Sequence, residues 1–563
     1  MDYPISYSPS PIDTDIVSFC FQGPALPDDC PVFVDGVTPS RSLNISQFQH
    51  LVCTLIAGLR AQKVQRGQCV LVHLDNSILS PALFLAIVGA GGVYMGANPA
   101  SSVDELKHLL ALAEPRLIVT RRDTLSTVLA SATVRGLKPE QVCVLDDIDH
   151  IIDRVFEGSQ WQTTHERLKP VQDASSPLNF TNLVRCGQRS WISFADAERA
   201  KTTTAAMFLT SGTSGLPKAA ILTHQALILQ HMSVYCPVPY PVTRLLAMPL
   251  FHRYGALWAH FFPVRYAQPL VLLPQFQLAP FLDAVRRHCV TETHLSPWMV
   301  HVLIQSSSSM PIRESLQSLR YVCVGGAPID KRPLQLLQDM LHPDACVAQE
   351  WGMTETGTVI HDHYCKPYEQ YDKESIGCVV PGYEARLVSL DSGDVIQSDE
   401  TIGELHVRGP GLFLGYKGCS DSPKDSDGWL PTGDVLYVKK EHYFLVGRVK
   451  ELIKVRGYQV APVELETQLI SHSLIKDVAV IGITASDRST ELPRAYVVPI
   501  SWAQRPSAED IYGFLRRRTA SYKALDGGIV FVDWIPRTSS GKIRRQRLLE
   551  LDAQRENLVR LLS

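Results

Sequence analysis

The sequence predicts an α/β protein: a large N-terminal domain of layered α/β subdomains plus a small β unit, then a small C-terminal α+β domain. Three observations predict this. At 563 residues the chain exceeds what one apolar core organises, so it divides into several units. Short apolar runs alternate with longer amphipathic ones, the pattern of parallel strands covered by helices on both faces. The texture then changes at Gly403, where alternating residues with glycine punctuation begin, and a further boundary falls near Gly447.

The elements follow in order. CVLVHL (Cys69 to Leu74), RLIVT (Arg116 to Thr120) and VCVLD (Val142 to Asp146) read as strands. Between the first two, SVDELKHLLALA reads as a helix that Ser102 caps and Glu105 supports. From Asn76 to Val103 the chain carries no charge, yet Pro81, the GAGG at Gly89 to Gly92 and Asn98-Pro99 interrupt it. A spanning helix needs about 20 mostly apolar residues, so this stretch reads as a buried helix, a glycine-rich turn and a strand, with no membrane span. The polar, irregular segment from Ile151 to Thr204 reads as a surface excursion. LLAMPL, PLVLLP, THLSP and LRYVCVGGAP are further strands or strand ends, and ELHVRGPGLFLGY opens a small antiparallel β unit. Beyond Gly447, KDVAVIGI, RAYVVPI and GGIVFVDWIP surround the helix-like EDIYGFLRRR and compose the C-terminal unit. The expected domains are 1–446 and 447–563.

Composition narrows the function. Hydrophobic residues at 45% and charged residues at 20% are those of a globular protein, and a net charge of −3 argues against nucleic acid or an anionic membrane as the main partner. Thirteen cysteines form no CxxC pair, and MDYPISYSPSPIDTD has neither a basic start nor an apolar run. A reducing, cytoplasmic setting with free thiols is expected.

Several stretches carry chemistry. TSGTSGLPKA offers backbone freedom at Gly212 and Gly215, hydroxyls at Thr210, Ser211, Thr213 and Ser214, and a charge at Lys218. Such a loop after a strand makes an anion cradle, although it lacks the GxxxxGK[ST] order and, taken alone, also fits a flexible surface turn. YVCVGGAPI ends a strand on two glycines, where a flat ring can lie against bare backbone. QEWGMTET presents Thr354 and Glu355, and GWLPTGDV presents Asp434, a carboxylate suited to sugar hydroxyls. GRVKELIKVRGYQVAPVELE sets basic residues around a hinge candidate, and PRTSSGKIRR carries Lys542 on a loop.

In this order and at these separations, the motifs resemble the adenylate-forming superfamily of acyl-CoA synthetases, luciferases and peptide-synthetase adenylation domains. The resemblance runs from near residue 40 to near residue 550, and its motif style is closest to 4-coumarate–CoA ligase-like aryl and acyl-CoA ligases. It implies an N-terminal AMP-binding domain, a mobile C-terminal domain, and the use of ATP, Mg²⁺ and coenzyme A. A carboxylate would attack the α-phosphate of ATP, and a thiol would then displace AMP from the acyl-adenylate. The resemblance assigns the β- and γ-phosphates to Thr210–Gly215 and Lys218, the α-phosphate to Thr354 and Mg²⁺ to Glu355. It assigns the ribose to Asp434 and Arg448, and the adenine to Gly326, Ala327, Pro328 and Trp351. Lys542 would bridge the substrate carboxylate and α-phosphate, and rotation about a hinge near Lys450 would replace it with the face carrying Lys454. The basic clusters Arg516–Arg518 and Arg544, Arg545 and Arg547 suit either CoA phosphates or a solvated face.

PLFHRYGAL bears on the acid. Amino-acid-activating relatives carry an aspartate after this phenylalanine; here His252 stands there, and an ammonium buried without a carboxylate would be costly. The pocket implied runs from His252 through Tyr254 and Gly255 to Leu257, with Trp298, Gly325, Trp351, Gly352, Thr358, Val359 and Ile360. That mix suits an aryl or medium-chain acid of secondary or fatty-acid metabolism. Three departures stand out: Gly447 in place of an aspartate before the arginine, Glu350-Trp351 in place of Gly-Tyr, and a Leu-Leu-Ser end in place of a peroxisomal tripeptide. The reading is an ATP-dependent acid–CoA ligase. Its alternatives are an enzyme loading a carrier-protein thiol, a luciferase-like oxidase, and a silent nucleotide binder; the presence of Lys218, Glu355, Asp434, Arg448 and Lys542 argues against the last.

Overall fold

The computed structural model describes residues 12–562 except 25, 147–150, 153–175, 211–216, 308–309, 365–371, 457, 486–489 and 539–540. Two large sheets organise the N-terminal part. In the first, Cys69–His73, Val93–Gly96, Leu117–Arg121, Val142–Leu145 and Thr204–Thr210 run parallel. Antiparallel Lys218–Thr223 and Gly415–Tyr416 extend one edge and parallel Leu178–Asn179 the other, to make eight strands among the described residues. The second sheet has nine, with Arg244–Leu246, Leu270–Leu272, Glu292–Leu295, Tyr321–Val324 and Cys346–Met353 parallel at its centre.

Local chemistry explains several elements. Ser102 accepts a hydrogen bond from the Glu105 N–H, and the Glu105 carboxylate accepts one from the Ser102 N–H, so Val103–Ala113 begins on a closed capping box. The uncharged run folds into the helix Leu79–Gly89, buried along its whole length, followed by a turn and the strand Val93–Gly96. Within it, Phe84 is buried and stacks on His260 with ring centroids 4.3 Å apart. No helix among the described residues is long and apolar enough to cross a membrane.

Two expectations are corrected. Part of the segment read as a surface excursion, residues 153–175, lies outside the described residues; of the remainder, 185–190 is exposed, but other residues are built into the core. Leu178–Asn179 adds a parallel strand beside Val142–Leu145, Phe180 and Leu183 are fully buried, and Trp191 stacks on Phe21. Its few apolar residues are spaced too irregularly to reveal a period. The β unit also begins earlier than Gly403, at Glu384–Val388, and continues through Gly403–Arg408, Leu430–Lys439 and His442–Arg448, each antiparallel to the one before it. ELHVRGPGLFLGY is therefore divided: its first half joins this unit, whereas Gly415–Tyr416 pairs with Lys218–Thr223 in the large sheet.

The C-terminal part has its own apolar cluster. Ile475–Thr484, Glu491–Pro499 and Ile529–Phe531 form a three-stranded sheet against Pro462–Ile470 and Ala508–Arg516, and the hairpin Ile453–Val455/Tyr458–Val460 lies beside it. Because Phe84 belongs to the main N-terminal cluster and not to this one, Phe84→Ala should destabilise the N-terminal part by about 3–5 kcal/mol. Denaturant unfolding should show that transition moving to lower denaturant while the C-terminal transition stays in place.

Candidate active site

The carboxyl ends of the central parallel strands of the nine-stranded sheet provide a natural binding crevice. After Tyr321–Val324 the chain passes through Gly325 and then Gly326, whose φ of +85° is the left-handed conformation that glycine accommodates. A Cβ on Gly325 would stand 2.7 Å from Glu350 Cγ and 3.0 Å from Tyr254 Oη, so the bare backbone is required by close packing. Ala327 and Pro328 continue this rim, with Pro328 exposed.

Cys346–Met353 pairs antiparallel with Gly357–His361, and the register shifts at Trp351/Gly352, a bulge that re-aims the side chains around it. Trp351 Nε1 donates to Asp434 Oδ2 at 3.0 Å, and Arg448 Nε donates to Asp434 Oδ1 at 2.8 Å. Asp434 and Arg448 face each other across adjacent strands, so the antiparallel ladder itself sets their pairing. Asp434 is only 3% exposed. Burial raises its pKa, opposed by Arg448, the Trp351 N–H and the charge of Lys542.

The turn after the bulge is tied to the first sheet. The Thr354 hydroxyl donates to the Leu209 carbonyl at 3.4 Å, one residue before Thr210. Thr210 and Lys218 are register partners across the hairpin, so both ends of the anion loop are fixed; Ser211, Gly212, Thr213, Ser214 and Gly215 lie outside the described residues. Glu355 is buried, and its Oε1 accepts a hydrogen bond from Tyr416 Oη at 2.7 Å. Lys218 Nζ stands 5.0 Å from the centre of the same Tyr416 ring. Tyr416 thus links the loop lysine to the buried carboxylate. The sequence reading missed it because its place depends on the short edge pairing; the only signal was a tyrosine directly after a glycine in LFLGY.

Lys542 arrives from the C-terminal part. The Thr538 N–H donates to the Lys542 carbonyl at 2.8 Å and the Lys542 N–H to Thr538 Oγ1 at 3.1 Å, closing its loop. At Gly541, φ is +86° and a Cβ would be 2.6 Å from Trp298 Cδ1, so this loop lies directly on Trp298. Burial lowers the Lys542 pKa, as does Arg448, while Asp434, Glu355 and Glu451 oppose the shift. His252, at the start of the helix Arg253–His260, is lowered to about 4 by burial and by the Lys542 charge, so it is neutral at pH 7. Arg545 clamps the segment by donating to Glu451 at 3.0 Å, to the Val480 carbonyl at 2.9 Å, and to Glu466.

The other sequence-predicted residues are distributed as follows. Gly255 packs against the Pro249 carbonyl and Gly352 against the Gly357 carbonyl, each too close for a side chain. Thr358 donates to Glu350 Oε2 at 2.8 Å, and Val359 is fully buried in the main cluster. Lys450 sits in the short turn Val449–Glu451 immediately after Arg448. Lys454 is exposed on its hairpin, with its backbone N–H donating to Glu491, outside the group gathered around Lys542. Glu350, read from sequence only as a departure, and His294, read only as part of a strand, meet beneath Tyr254.

Comparisons with known proteins bear on the family and the fold. A family model described as "AMP-binding enzyme" matches residues 23–417, and one described as "AMP-binding enzyme C-terminal domain" matches residues 464–542. The acyl-CoA ligase ppsA of Aspergillus oryzae is 62% identical, over 98% of this chain and 99% of its own. The nicotinic acid-CoA ligase olcI of Penicillium canescens is 48% identical, over 98% of this chain and 100% of its own. Among solved structures, the anthranilate CoA ligase AuaEII in complex with anthranoyl-AMP superposes with a TM-score of 0.80 at 22% identity, covering 97% of this chain and 99% of that one.

The geometry around Asp434 makes a direct prediction. Trp351→Phe keeps an aromatic side chain but removes the N–H from a buried carboxylate and part of the buried indole, and should lower stability by at least about 1.5–3 kcal/mol, the range for hydrogen bonds to charged groups, with the lost volume adding to it. Denaturant unfolding of the N-terminal part measures it.

Proposed function

The chain belongs to the AMP-binding enzyme family, and from that premise we propose how its site performs the work of an acid–CoA ligase. It is an AMP-forming acid–thiol ligase that uses ATP, Mg²⁺ and coenzyme A. Joining a carboxylate to the α-phosphate brings two anions together, so the protein's task is to supply positive charge and oriented donors.

In the proposed division, Asp434 and Arg448 hold the ribose, Gly326 to Pro328 and Trp351 flank the adenine, and Thr354 meets the α-phosphate. The loop from Thr210 to Gly215, with Lys218, grips the departing pyrophosphate. Glu355 is the carboxylate suited to Mg²⁺, which when bound supplies positive charge against the phosphates. His252, neutral at pH 7, lines the acid pocket with Tyr254, Gly255, Trp298, Gly325 and Gly352. The observation that carries this reading is that Lys542, remote in sequence, shares one electrostatic neighbourhood with Asp434, Arg448 and Glu355. That is where a cation must stand to screen the attack.

We further divide the chain into domains 1–446 and 447–563, hinged at Lys450, with Lys454 serving thioester formation after Lys542 withdraws. The exposed position of Lys454 supports a role in a second arrangement. The acid is an aromatic one, as the pocket's rings and the nicotinic acid ligase relative support. The acceptor is CoA, the thiol in the relatives' names; nothing favours a carrier protein. An intracellular setting is supported by the described cysteines, all of which are free.

Two tests follow. Lys542→Ala should reduce acyl-adenylate formation by about 100-fold or more, the scale of a lost electrostatic donor, while thioester formation from supplied acyl-adenylate survives. Equal loss of both half-reactions would contradict the hinge. The second test uses pH. The charged form of Lys542 is required and its pKa is lowered, so adenylation is complete below that pKa and is lost as pH rises through it, short of the ordinary lysine range. Lys542→Arg, which stays charged, should move the alkaline limb of the rate profile to higher pH.

A further inference from the structure

Beneath the acid pocket lies a group of buried polar atoms whose hydrogen bonds are unmade. His294, Cys323 and Glu350 stand on three adjacent strands, and register places His294 opposite Cys323, with Glu350 two residues beyond Cys323's partner Ala348. They therefore point to one face, toward the helix Arg253–His260 that carries Tyr254 and Trp258. His294 stacks on Trp258 at 3.9 Å and meets Tyr254 edge-on at 6.1 Å. Glu350 Oε2 is occupied by the Thr358 hydroxyl. Its Oε1 has no hydrogen-bond partner, and neither have Tyr254 Oη and both ring nitrogens of His294. His294 Nδ1 stands 3.7 Å from Glu350 Oε1, too long for a hydrogen bond. Buried polar groups are nearly always satisfied, and a cluster left unsatisfied calls for an occupant.

We propose that Glu350, His294 and Tyr254 form a polar floor to the acid pocket that selects aromatic acids bearing a hydrogen-bond donor on the ring, a pyridinium N–H or a phenolic O–H. The proposal rests on the ligase reading above. A carboxylate oxygen without a donor is satisfied by such a group and by nothing on plain benzoate or a fatty acid. Site groups built to bond a substrate polar atom reject the analogue lacking it, because they are left buried and unpaired. The Tyr254 ring, only partly exposed and lying against Gly326, covers these atoms from the pocket side, so the ring-borne group reaches them as Tyr254 turns aside. Burial acts to raise the Glu350 carboxyl, but the nearness of His294, His361 and Tyr254 outweighs it and holds it below the usual carboxylate range. An anionic acceptor is thereby kept ready. The ligand atoms of His294, Cys323 and Glu350 also lie within 4.8 Å of one another, a metal-like spacing. Against a metal, burial and the Glu350 charge push the Cys323 thiol well above its ordinary range, opposing the thiolate that coordination needs.

The test is AMP release by the full chain with ATP, Mg²⁺ and CoA, comparing nicotinate, 3-hydroxybenzoate and 4-hydroxybenzoate with benzoate and hexanoate. At least one ring-donor acid should exceed benzoate in kcat/KM by about tenfold or more, and which one leads identifies nitrogen or hydroxyl as the donor. Glu350→Gln should shrink that ratio severalfold. Tyr254→Phe, which keeps the ring and removes only the hydroxyl, should shrink it too if Glu350→Gln fails to fold. Benzoate or hexanoate matching every ring-donor acid, or a ratio unchanged in both variants, would overturn the polar floor and leave the ligase reading standing. AMP release with no acid at all would overturn both.

Discussion

A carboxylate removed from water must be neutralised where it lies, and Asp434 is neutralised from three directions. Trp351 reaches it from the end of a central strand, Arg448 from the neighbouring strand of the β unit, and the field of Lys542 from the C-terminal part. Breaking a buried pair by removing one partner costs about 3–5 kcal/mol, because an uncompensated charge remains. The requirement therefore couples the bulge at Trp351, the register of the β unit and the docking of the Lys542 loop on Trp298. Arg448 also adjoins the turn carrying Lys450, so the proposed hinge begins beside a residue already paired with Asp434.

A second coupling runs through Tyr416. Its hydroxyl satisfies Glu355 and its ring faces Lys218, so a two-residue edge strand joins the lysine proposed to grip pyrophosphate to the carboxylate proposed for Mg²⁺. With Lys542 and Arg448 opposite, the crevice carries charge of both signs at short range. Such a preorganised field stabilises charge redistribution along the attacking carboxylate and the departing pyrophosphate without a covalent nucleophile on the protein.

What was legible in the sequence follows from what is local. The capping box at Ser102 and Glu105 lies within four residues, and the interrupted uncharged run resolved into helix, turn and strand by its own prolines and glycines. The motifs around Thr354, Asp434, Arg448 and Lys542 were legible as an ordered set, although none names the reaction alone. Tyr416 and the Glu350–His294 floor were not. Their meaning arises from strand pairings between residues far apart in the chain: Tyr416 opposite Ala220, and His294 beside Glu350 through the intervening strand. The division of ELHVRGPGLFLGY between two sheets was hidden for the same reason, since both halves read as extended chain. The buried Phe180 and Leu183 lacked a periodic neighbourhood that would have marked them as core.

The central claim is that a free acid attacks ATP before any thiol is needed. Exchange of labelled pyrophosphate into ATP, measured with acid and Mg²⁺ but without CoA, tests it most directly. The account predicts exchange that requires the acid and proceeds without CoA. Thioester formation accompanied by ADP and phosphate, or an acid that supports thioester formation without supporting exchange, would contradict it.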